Sequence, residues 1–123
     1  MLYGFVGLGH LGQHLAANLA RAGFQVAVHD LERSRAEGPM AAGARWVPSL
    51  EAMAGECAAL ITCLPTPAAS AAVLATALPT LAPGSTWIEM STNDFAEIER
   101  IARTVSTRGI DVLNCPVTGG VHR

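Results

Sequence analysis

The chain has 123 residues, a formal net charge of −2 at pH 7 and 50% hydrophobic residues, which is the size and composition of one compact globular domain. Its 8 basic and 10 acidic side chains form no run of like charge, so the sequence favours neither nucleic acid nor a membrane surface as a partner. No apolar run approaches the roughly 18–20 residues of a membrane-spanning helix.

The basic residues and the cysteines narrow the possible chemistry. All eight basic residues are Arg, so this chain offers no Lys for a Schiff base, a Walker-type phosphate site or a general acid. Cys57, Cys63 and Cys115 lack C-x-x-C spacing, which favours reduced thiols over a disulfide framework or a zinc site. The N-terminus carries no cationic region before its apolar stretch, unlike a signal peptide. We therefore expect a cytoplasmic protein.

Short apolar segments alternate with segments of helical period, which predicts β-α-β units and a parallel sheet. In the first third of the chain, strands are predicted over 2–6 and 25–29, with a helix over 10–22 between them. Leu11, Leu15 and Leu19 recur every four residues and predict the apolar face of that helix. Gly23 stands where a helix C-terminal glycine is expected.

The rest of the chain continues this alternation. Further helices are predicted over 34–42, 49–54, 67–78 and 94–109, and further strands over 45–47, 58–64, 86–90 and 110–113. Gly38-Pro39 is expected to interrupt the first of these helices. The fold class predicted is α/β, with a doubly wound and mostly parallel sheet.

The segment Gly7-Leu8-Gly9-His10-Leu11-Gly12 is a G-x-G-x-x-G motif between a predicted strand and a predicted helix. In such a loop the first Gly allows a tight turn, the second lets the backbone approach a pyrophosphate, and the third lets helix and sheet pack closely. The helix N-terminus then offers free N–H groups and the positive end of its dipole to the phosphates. The motif predicts a Rossmann-type dinucleotide-binding domain.

Asp30 ends the second predicted strand 18 residues after Gly12. A dinucleotide fold places there the carboxylate that accepts hydrogen bonds from the adenosine ribose. A carboxylate would repel a 2′-phosphate, so NAD is favoured over NADP. Arg33 and Arg35 follow closely and could pair with a 2′-phosphate, which leaves NADP open. A solvated residue in a turn at the strand end is the alternative role for Asp30.

Metal and hydrolase chemistry have little support in the sequence. His10 and His14 have a spacing that can hold a metal on a helix, but no carboxylate accompanies them and His10 lies in the predicted phosphate loop. No metal is therefore expected. No G-x-S-x-G motif is present to indicate a hydrolase.

Four segments together resemble one known family. Phe5 to Gly12, continuing to Ala22-Gly23, is similar to the family's opening fingerprint, with Leu11 where Met is usual. Ile61-Thr62-Cys63-Leu64-Pro65 is similar to a strand and loop whose backbone contacts the cofactor. Glu89-Met90-Ser91-Thr92 resembles a strand that ends in a Ser/Thr pair close to the nicotinamide ribose.

The fourth segment, Asn114-Cys115-Pro116-Val117-Thr118-Gly119-Gly120, resembles a substrate-binding signature usually read as Asp-Ala-Pro-Val-Ser-Gly-Gly. A hydroxyl followed by two glycines can direct a side-chain donor and backbone N–H groups onto a carboxylate. The alternative is a plain loop after a strand. The family is that of the β-hydroxyacid dehydrogenases, with 3-hydroxyisobutyrate dehydrogenase, tartronate semialdehyde reductase and, more remotely, 6-phosphogluconate dehydrogenase.

The resemblance implies hydride transfer between NAD or NADP and a small β-hydroxy acid such as a 3-hydroxyisobutyrate-like substrate. It assigns cofactor binding to Gly7, Leu8, Gly9, His10, Leu11, Gly12, Asp30, Cys63, Leu64, Pro65, Ser91 and Thr92. It assigns substrate binding to Thr118, Gly119 and Gly120. Thr118 replaces the usual Ser and adds a methyl group, which bears on the size of the substrate.

The family's catalytic lysine lies in a helix beyond the Gly-Gly signature, so no catalytic residue is expected in this chain. Residues 1–123 are interpreted as the N-terminal NAD(P)-binding domain, without the helical C-terminal domain, of an enzyme that is a homo-oligomer when intact. Two alternatives stay open. One is a non-catalytic dinucleotide-binding or interaction module, and the other is a relative of the imine reductases, against which the Pro-Val-Thr-Gly-Gly segment argues.

Overall fold

The computed structural model describes residues 1–90 and 95–115. Within them lies one sheet of six strands, all paired in parallel. The strands are β1 (Leu2–Val6), β2 (Gln25–His29), β3 (Arg45–Trp46), β4 (Ala59–Thr62), β5 (Thr86–Glu89) and β6 (Asp111–Asn114). The helices are α1 (His10–Arg21), α2 (Glu37–Ala41), α3 (Leu50–Glu56), α4 (Pro67–Ala77) and α5 (Phe95–Ser106). The α/β fold predicted from the sequence is confirmed.

The strands lie in the order β3-β2-β1-β4-β5-β6, which is that of dinucleotide-binding domains. The chain runs outward in one direction from β1 to β3 and in the other from β4 to β6. Val6 at the end of β1 is level with His29 of β2 and with Thr62 of β4. The order thus reverses between β1 and β4, where open parallel sheets form a crevice at their carboxyl ends.

Each face of the sheet carries its own hydrophobic core. Leu60 packs with Trp87 and Met53 in one cluster, whereas the next residue, Ile61, packs with Phe5 in the other. Successive side chains of a strand point to opposite faces, so the two clusters lie on the two sides of the sheet. All four residues of β4 are buried, as expected for a central strand of a parallel sheet covered on both faces.

Helix α1 faces the sheet with residues other than those predicted. Its buried residues are Gly12, Ala16 and Ala17, because small side chains let the helix lie close to the strands. Leu15 and Leu19 pack along the side of the second core as partly buried residues. Leu11 is 40% exposed, so the predicted leucine face is wrong at its first position.

The segment after β2 differs from the single interrupted helix that the sequence suggested. A short 3₁₀ helix (Arg33–Ala36) precedes α2. Pro39 is the third residue of α2 and is buried. Its missing N–H falls among the first four of the helix, which have no intrahelical partner. Pro39 is therefore accommodated rather than disruptive.

Several predicted boundaries shift by one or two residues. The strand predicted over 58–64 is confined to Ala59–Thr62, and the last strand begins at Asp111 rather than at Ile110. Ser49 accepts a hydrogen bond from the N–H of Ala52 and caps α3 as expected. In the part of the chain that the structure describes, no helix has the length and apolar character needed to cross a bilayer.

Candidate functional site

A cleft of about 670 Å³ opens at the carboxyl end of the sheet, beside the point where the strand order reverses. One wall is the loop between β1 and α1, and the opposite wall is the β4–α4 loop with the first three turns of α4. The end of β2 closes one end of the cleft, and Met90, directly after β5, lines the other. This is the position at which open α/β sheets bind their ligands.

The three motif glycines meet three different constraints. Gly7 has a φ of +101°, and a Cβ there would overlap the carbonyl oxygen of Cys63. A Cβ on Gly12 would overlap the carbonyl oxygen of Gly7. By contrast, a Cβ on Gly9 would meet no protein atom within 4 Å. Gly7 and Gly12 therefore serve the packing of the loop, whereas Gly9 faces open space.

Helix α1 begins in this loop without a side-chain cap. Gly9 is its N-cap residue, in an extended conformation, and among the residues that the structure describes no side chain caps this helix. The first N–H groups of an α-helix have no intrahelical acceptor, and they carry the positive end of the helix dipole. Together with the open space at Gly9, this arrangement fits a pyrophosphate.

Asp30 connects the end of β2 to the glycine loop. Its Oδ2 accepts a hydrogen bond from the N–H of Leu8 at 2.7 Å, and its Oδ1 accepts one from the N–H of Glu32 at 2.9 Å. Asp30 also lines the cleft. Each carboxylate oxygen can accept two hydrogen bonds, so both retain capacity for the hydroxyl groups of a ribose.

The arginines near Asp30 differ in position. Arg35 lines the cleft and lies 3.7 Å from the carboxylate of Glu32 in an exposed ion pair. Arg33 instead lies over the ring of Trp46, 5.9 Å from its centroid. Trp46 also stacks on His29. Of the two arginines, Arg35 is the one placed to meet a phosphate in the cleft.

The β4–α4 loop supplies the opposite wall. Its residues Cys63, Leu64 and Pro65 line the cleft, and the N–H of Cys63 donates to the carbonyl of Val6 at 3.0 Å. Burial raises the pKa of the Cys63 thiol, and the negative charge of Glu89 adds to the rise. The thiol therefore stays protonated at neutral pH and is a poor nucleophile.

Helix α4 adds an apolar surface to this wall. Thr66 caps the helix by accepting a hydrogen bond from the N–H of Ala69 at 3.1 Å. Ala69, Ala72 and Val73 line the cleft with Thr76. Most of the cleft wall is thus apolar, and its polar groups include the loop backbone, the end of β2 and the side chains of His10, Arg35 and Thr76.

The structure brings most of the predicted cofactor residues to one place. Those lining the cleft are Gly7, Gly9, His10, Leu11, Gly12, Asp30, Cys63, Leu64 and Pro65. Leu8 is the exception, because its side chain is fully buried in the core and its N–H binds Asp30. The predicted residues Ser91, Thr92, Thr118, Gly119 and Gly120 lie outside the described residues.

Sequence reasoning missed several residues of the cleft. They are Val6, His29, Leu31, Leu50, Ala69, Ala72, Val73, Thr76 and Met90. Seven of these nine residues are apolar, and four of the seven lie in α3 and α4. No sequence signal separates them from core residues. Over 1–90 and 95–115, no three His, Cys, Asp or Glu side chains are grouped so as to hold a metal ion.

Comparison with known proteins gives a consistent family. Residues 2–123 match the family model described as the NAD binding domain of 6-phosphogluconate dehydrogenase. The NAD-dependent L-serine dehydrogenase of Pseudomonas aeruginosa is 33% identical over 119 residues, which are 94% of this chain and 40% of that protein. The chain thus spans less than half the length of this curated relative.

Solved structures agree with the sequence matches. The Mycobacterium tuberculosis 3-hydroxyisobutyrate dehydrogenase with L-serine superposes with a TM-score of 0.92 and 29% identity, over 98% of this chain and 41% of that one. An imine reductase from Pseudomonas sp. superposes with a TM-score of 0.81 and 26% identity, over 95% of this chain and 41% of that one. The shared fold therefore extends to imine reductases.

Fold and cleft together define an α/β dinucleotide-binding domain whose cofactor is a nicotinamide dinucleotide. The chain belongs to the family of the NAD-binding domain of 6-phosphogluconate dehydrogenase, within the β-hydroxyacid dehydrogenases. The family expected from the sequence motifs is confirmed.

Proposed function

We propose that this chain is the cofactor-binding part of an oxidoreductase that transfers a hydride between NAD and a small β-hydroxy acid. The observation that carries the proposal is the cleft in which the open backbone at Gly9, the start of α1 and the carboxylate of Asp30 converge. The named activities of the relatives support the substrate class, a hydroxy acid of the size of L-serine or 3-hydroxyisobutyrate.

The same cleft supports NAD over NADP. A 2′-phosphate on the adenosine ribose would approach the carboxylate of Asp30, which is held in place by two backbone N–H groups. Arg35 is the cation that could offset this repulsion, and it is already paired with Glu32. We therefore propose a preference for NAD, with NADP bound more weakly.

The proton relay of the reaction is proposed to lie outside this chain. The resemblance assigns it to a lysine, and the chain contains none. Residues 1–123 would then bind the cofactor, and Thr118, Gly119 and Gly120 would contribute to binding the substrate carboxylate. With NAD and 3-hydroxyisobutyrate or L-serine, the chain is expected to show no turnover.

We also propose that the intact enzyme is a homo-oligomer in the cytoplasm, where the three unpaired cysteines would stay reduced.

Two other functions have specific support. The fold shared with imine reductases favours reduction of an imine with the same cofactor half. The absence of Lys favours a non-catalytic dinucleotide-binding module. Consumption of NADH or NADPH on addition of a cyclic imine would favour the first of these functions, and it is not expected of a non-catalytic module.

Calorimetric titration of the chain with NADH and separately with NADPH tests the proposal. We expect saturable one-to-one binding that is tighter for NADH. A folded chain that binds neither cofactor would overturn the assignment of the cleft, and tighter binding of NADPH would overturn the role of Asp30.

A further inference from the structure

A network of buried polar side chains lies behind the wall of the cleft. Glu89, the last residue of β5, is fully buried. Its Oε1 accepts a hydrogen bond from the hydroxyl of Thr62, and its Oε2 accepts one from the hydroxyl of Ser70, both at 2.8 Å. The indole N–H of Trp87 donates to the Thr62 oxygen, also at 2.8 Å. All four side chains are buried.

These residues come from three segments that form the same part of the wall. Thr62 ends β4, Glu89 ends β5, and the two are paired in register. Ser70 lies in the first turn of α4. Each is next in the chain to a residue that lines the cleft, namely Cys63, Met90 and Ala69 respectively. The Glu89 carboxylate thus links the end of β5 to the end of β4 and to the first turn of α4. All three linked residues are direct neighbours in the chain of residues that line the cleft.

The chemistry of the network favours a role in geometry rather than in stability alone. Burying a carboxylate is costly, and an apolar side chain of similar volume often stabilises a core as well or better. Unlike an apolar side chain, a carboxylate fixes the relative positions of its partners, because its two oxygens accept directional hydrogen bonds from two hydroxyl groups. Here those hydroxyl groups belong to β4 and α4, on either side of the loop that carries Cys63, Leu64 and Pro65.

The network lies near the end of the cleft opposite to Asp30. Asp30 lies at the end of β2, on the side of the sheet where dinucleotide folds bind adenosine. Glu89, Thr62 and Ser70 lie across the point where the strand order reverses, in the half that receives the second nucleotide. We propose, on the basis of the proposed function, that Glu89 is a positioning residue for the nicotinamide half of the cofactor. It sets the β4–α4 loop against the end of β5.

Replacing Glu89 by Gln tests this role. Gln keeps the volume but offers one acceptor and one donor group, so one of the two hydroxyl groups must turn and the fixed geometry is lost. The probes are NADH and ADP-ribose, which lacks the nicotinamide. We expect E89Q to weaken NADH about tenfold, because a β4–α4 loop that is no longer held in place must be ordered when the cofactor binds, and to leave ADP-ribose within about twofold.

The matched control is E99Q, the same substitution at an exposed position of α5. It should change neither affinity. Equal weakening of NADH and ADP-ribose by a folded E89Q protein would indicate a general structural role and overturn the proposal, as would unchanged binding of both. If E89Q does not fold, S70A removes one donor to the carboxylate and must show the same selective loss of NADH.

The wild-type chain separates this inference from the proposed function. If it binds neither NADH nor ADP-ribose, the cofactor assignment fails and this inference fails with it. If it binds both, and the ratio of their affinities in E89Q and in S70A is unchanged from that of the wild type, the cofactor assignment stands and only the role of Glu89 is rejected.

Discussion

The carboxylate of Asp30 accepts a hydrogen bond from the N–H of Leu8 at 2.7 Å, across 22 positions of the chain. This bond fixes the end of β2 to the first residues of the glycine loop. A ribose bound by Asp30 and a pyrophosphate bound at the start of α1 would therefore lie on one rigid unit. Removal of this carboxylate should affect both the choice of cofactor and the order of the loop.

Replacing Asp30 by Ala should weaken NADH by about 10- to 100-fold, since hydrogen bonds to a charged group contribute about 1.5–3 kcal/mol. NADPH should lose less, because the substitution also removes the repulsion of its 2′-phosphate. Calorimetry with both cofactors measures the two losses.

The matched variant for this prediction is D30N. Its amide oxygen can still accept from Leu8, so it should keep the loop in place while it removes the negative charge. D30N is expected to shift the preference toward NADPH with a smaller loss of NADH than D30A. Equal losses of both cofactors in D30A would contradict the assignment of Asp30 to the ribose.

Two glycines of the motif should separate binding from folding. At Gly9, where no protein atom lies within 4 Å of an added Cβ, Ala should lower stability by less than about 1 kcal/mol, the range for a changed N-cap residue. The methyl group would occupy the space proposed for the pyrophosphate, so NADH binding should fall at least about tenfold. Thermal unfolding and calorimetry on the same G9A sample measure both quantities.

The control for G9A is G12A. There the added Cβ would overlap the carbonyl of Gly7, so α1 must move away from the loop. The free energy of unfolding should therefore drop by about 1–3 kcal/mol or more, as at other overpacked positions. A G9A protein as unstable as G12A would show that Gly9 is also needed for packing. A stable G9A protein that binds NADH as tightly as the wild type would show that the space at Gly9 is not part of the cofactor site.

The sequence predicts the order of the strands and helices because short apolar runs alternate with longer segments along the described chain. Gly7, Gly9 and Gly12 could also be predicted, since a loop motif next to a strand has a defined local geometry. Asp30 could be predicted as a ribose-binding candidate because it ends the second predicted strand soon after the glycine motif. Residues whose role depends only on local spacing can therefore be predicted from the sequence.

The rest of the site depends on packing between distant segments. Leu8 reads as a loop residue, yet its side chain is in the core and its N–H is used by Asp30. The burial of Glu89 against Ser70 depends on how α4 crosses the sheet, and an acidic residue at a strand end otherwise suggests exposure. No local pattern reports such contacts.

Cys57 should make stability depend on pH in the alkaline range. Burial raises the pKa of its thiol from 9.0 to about 11. The unfolded chain therefore loses this proton at lower pH than the folded chain, and stability falls as the pH rises from about 9 to 11. The difference of about 2 pH units corresponds to at most about 3 kcal/mol.

Urea unfolding at pH 8 and at pH 10.5 measures this loss. C57A should lose less stability than the wild type over that interval, although its stability at pH 8 is lower because a buried side chain is shortened. C115A, at an exposed position, should keep the wild-type loss. A C57A protein with the wild-type slope would show that another group is responsible.

Cys63 provides a direct probe of the cleft, because it lines the cavity and is half-buried, whereas Cys115 is exposed and Cys57 is buried. With a disulfide reagent at pH 8, Cys115 should react first and Cys57 only on unfolding. Cys63 should react slowly, since burial and the charge of Glu89 raise its pKa and little thiolate is present.

Saturating NADH should slow the reaction of Cys63 about tenfold further, which is the effect of about 90% occupancy, and leave the rate at Cys115 unchanged. C63A identifies the protected phase. Unchanged labelling of Cys63 in a chain that calorimetry shows to be loaded with NADH would place the cofactor elsewhere and reject the cleft as its site.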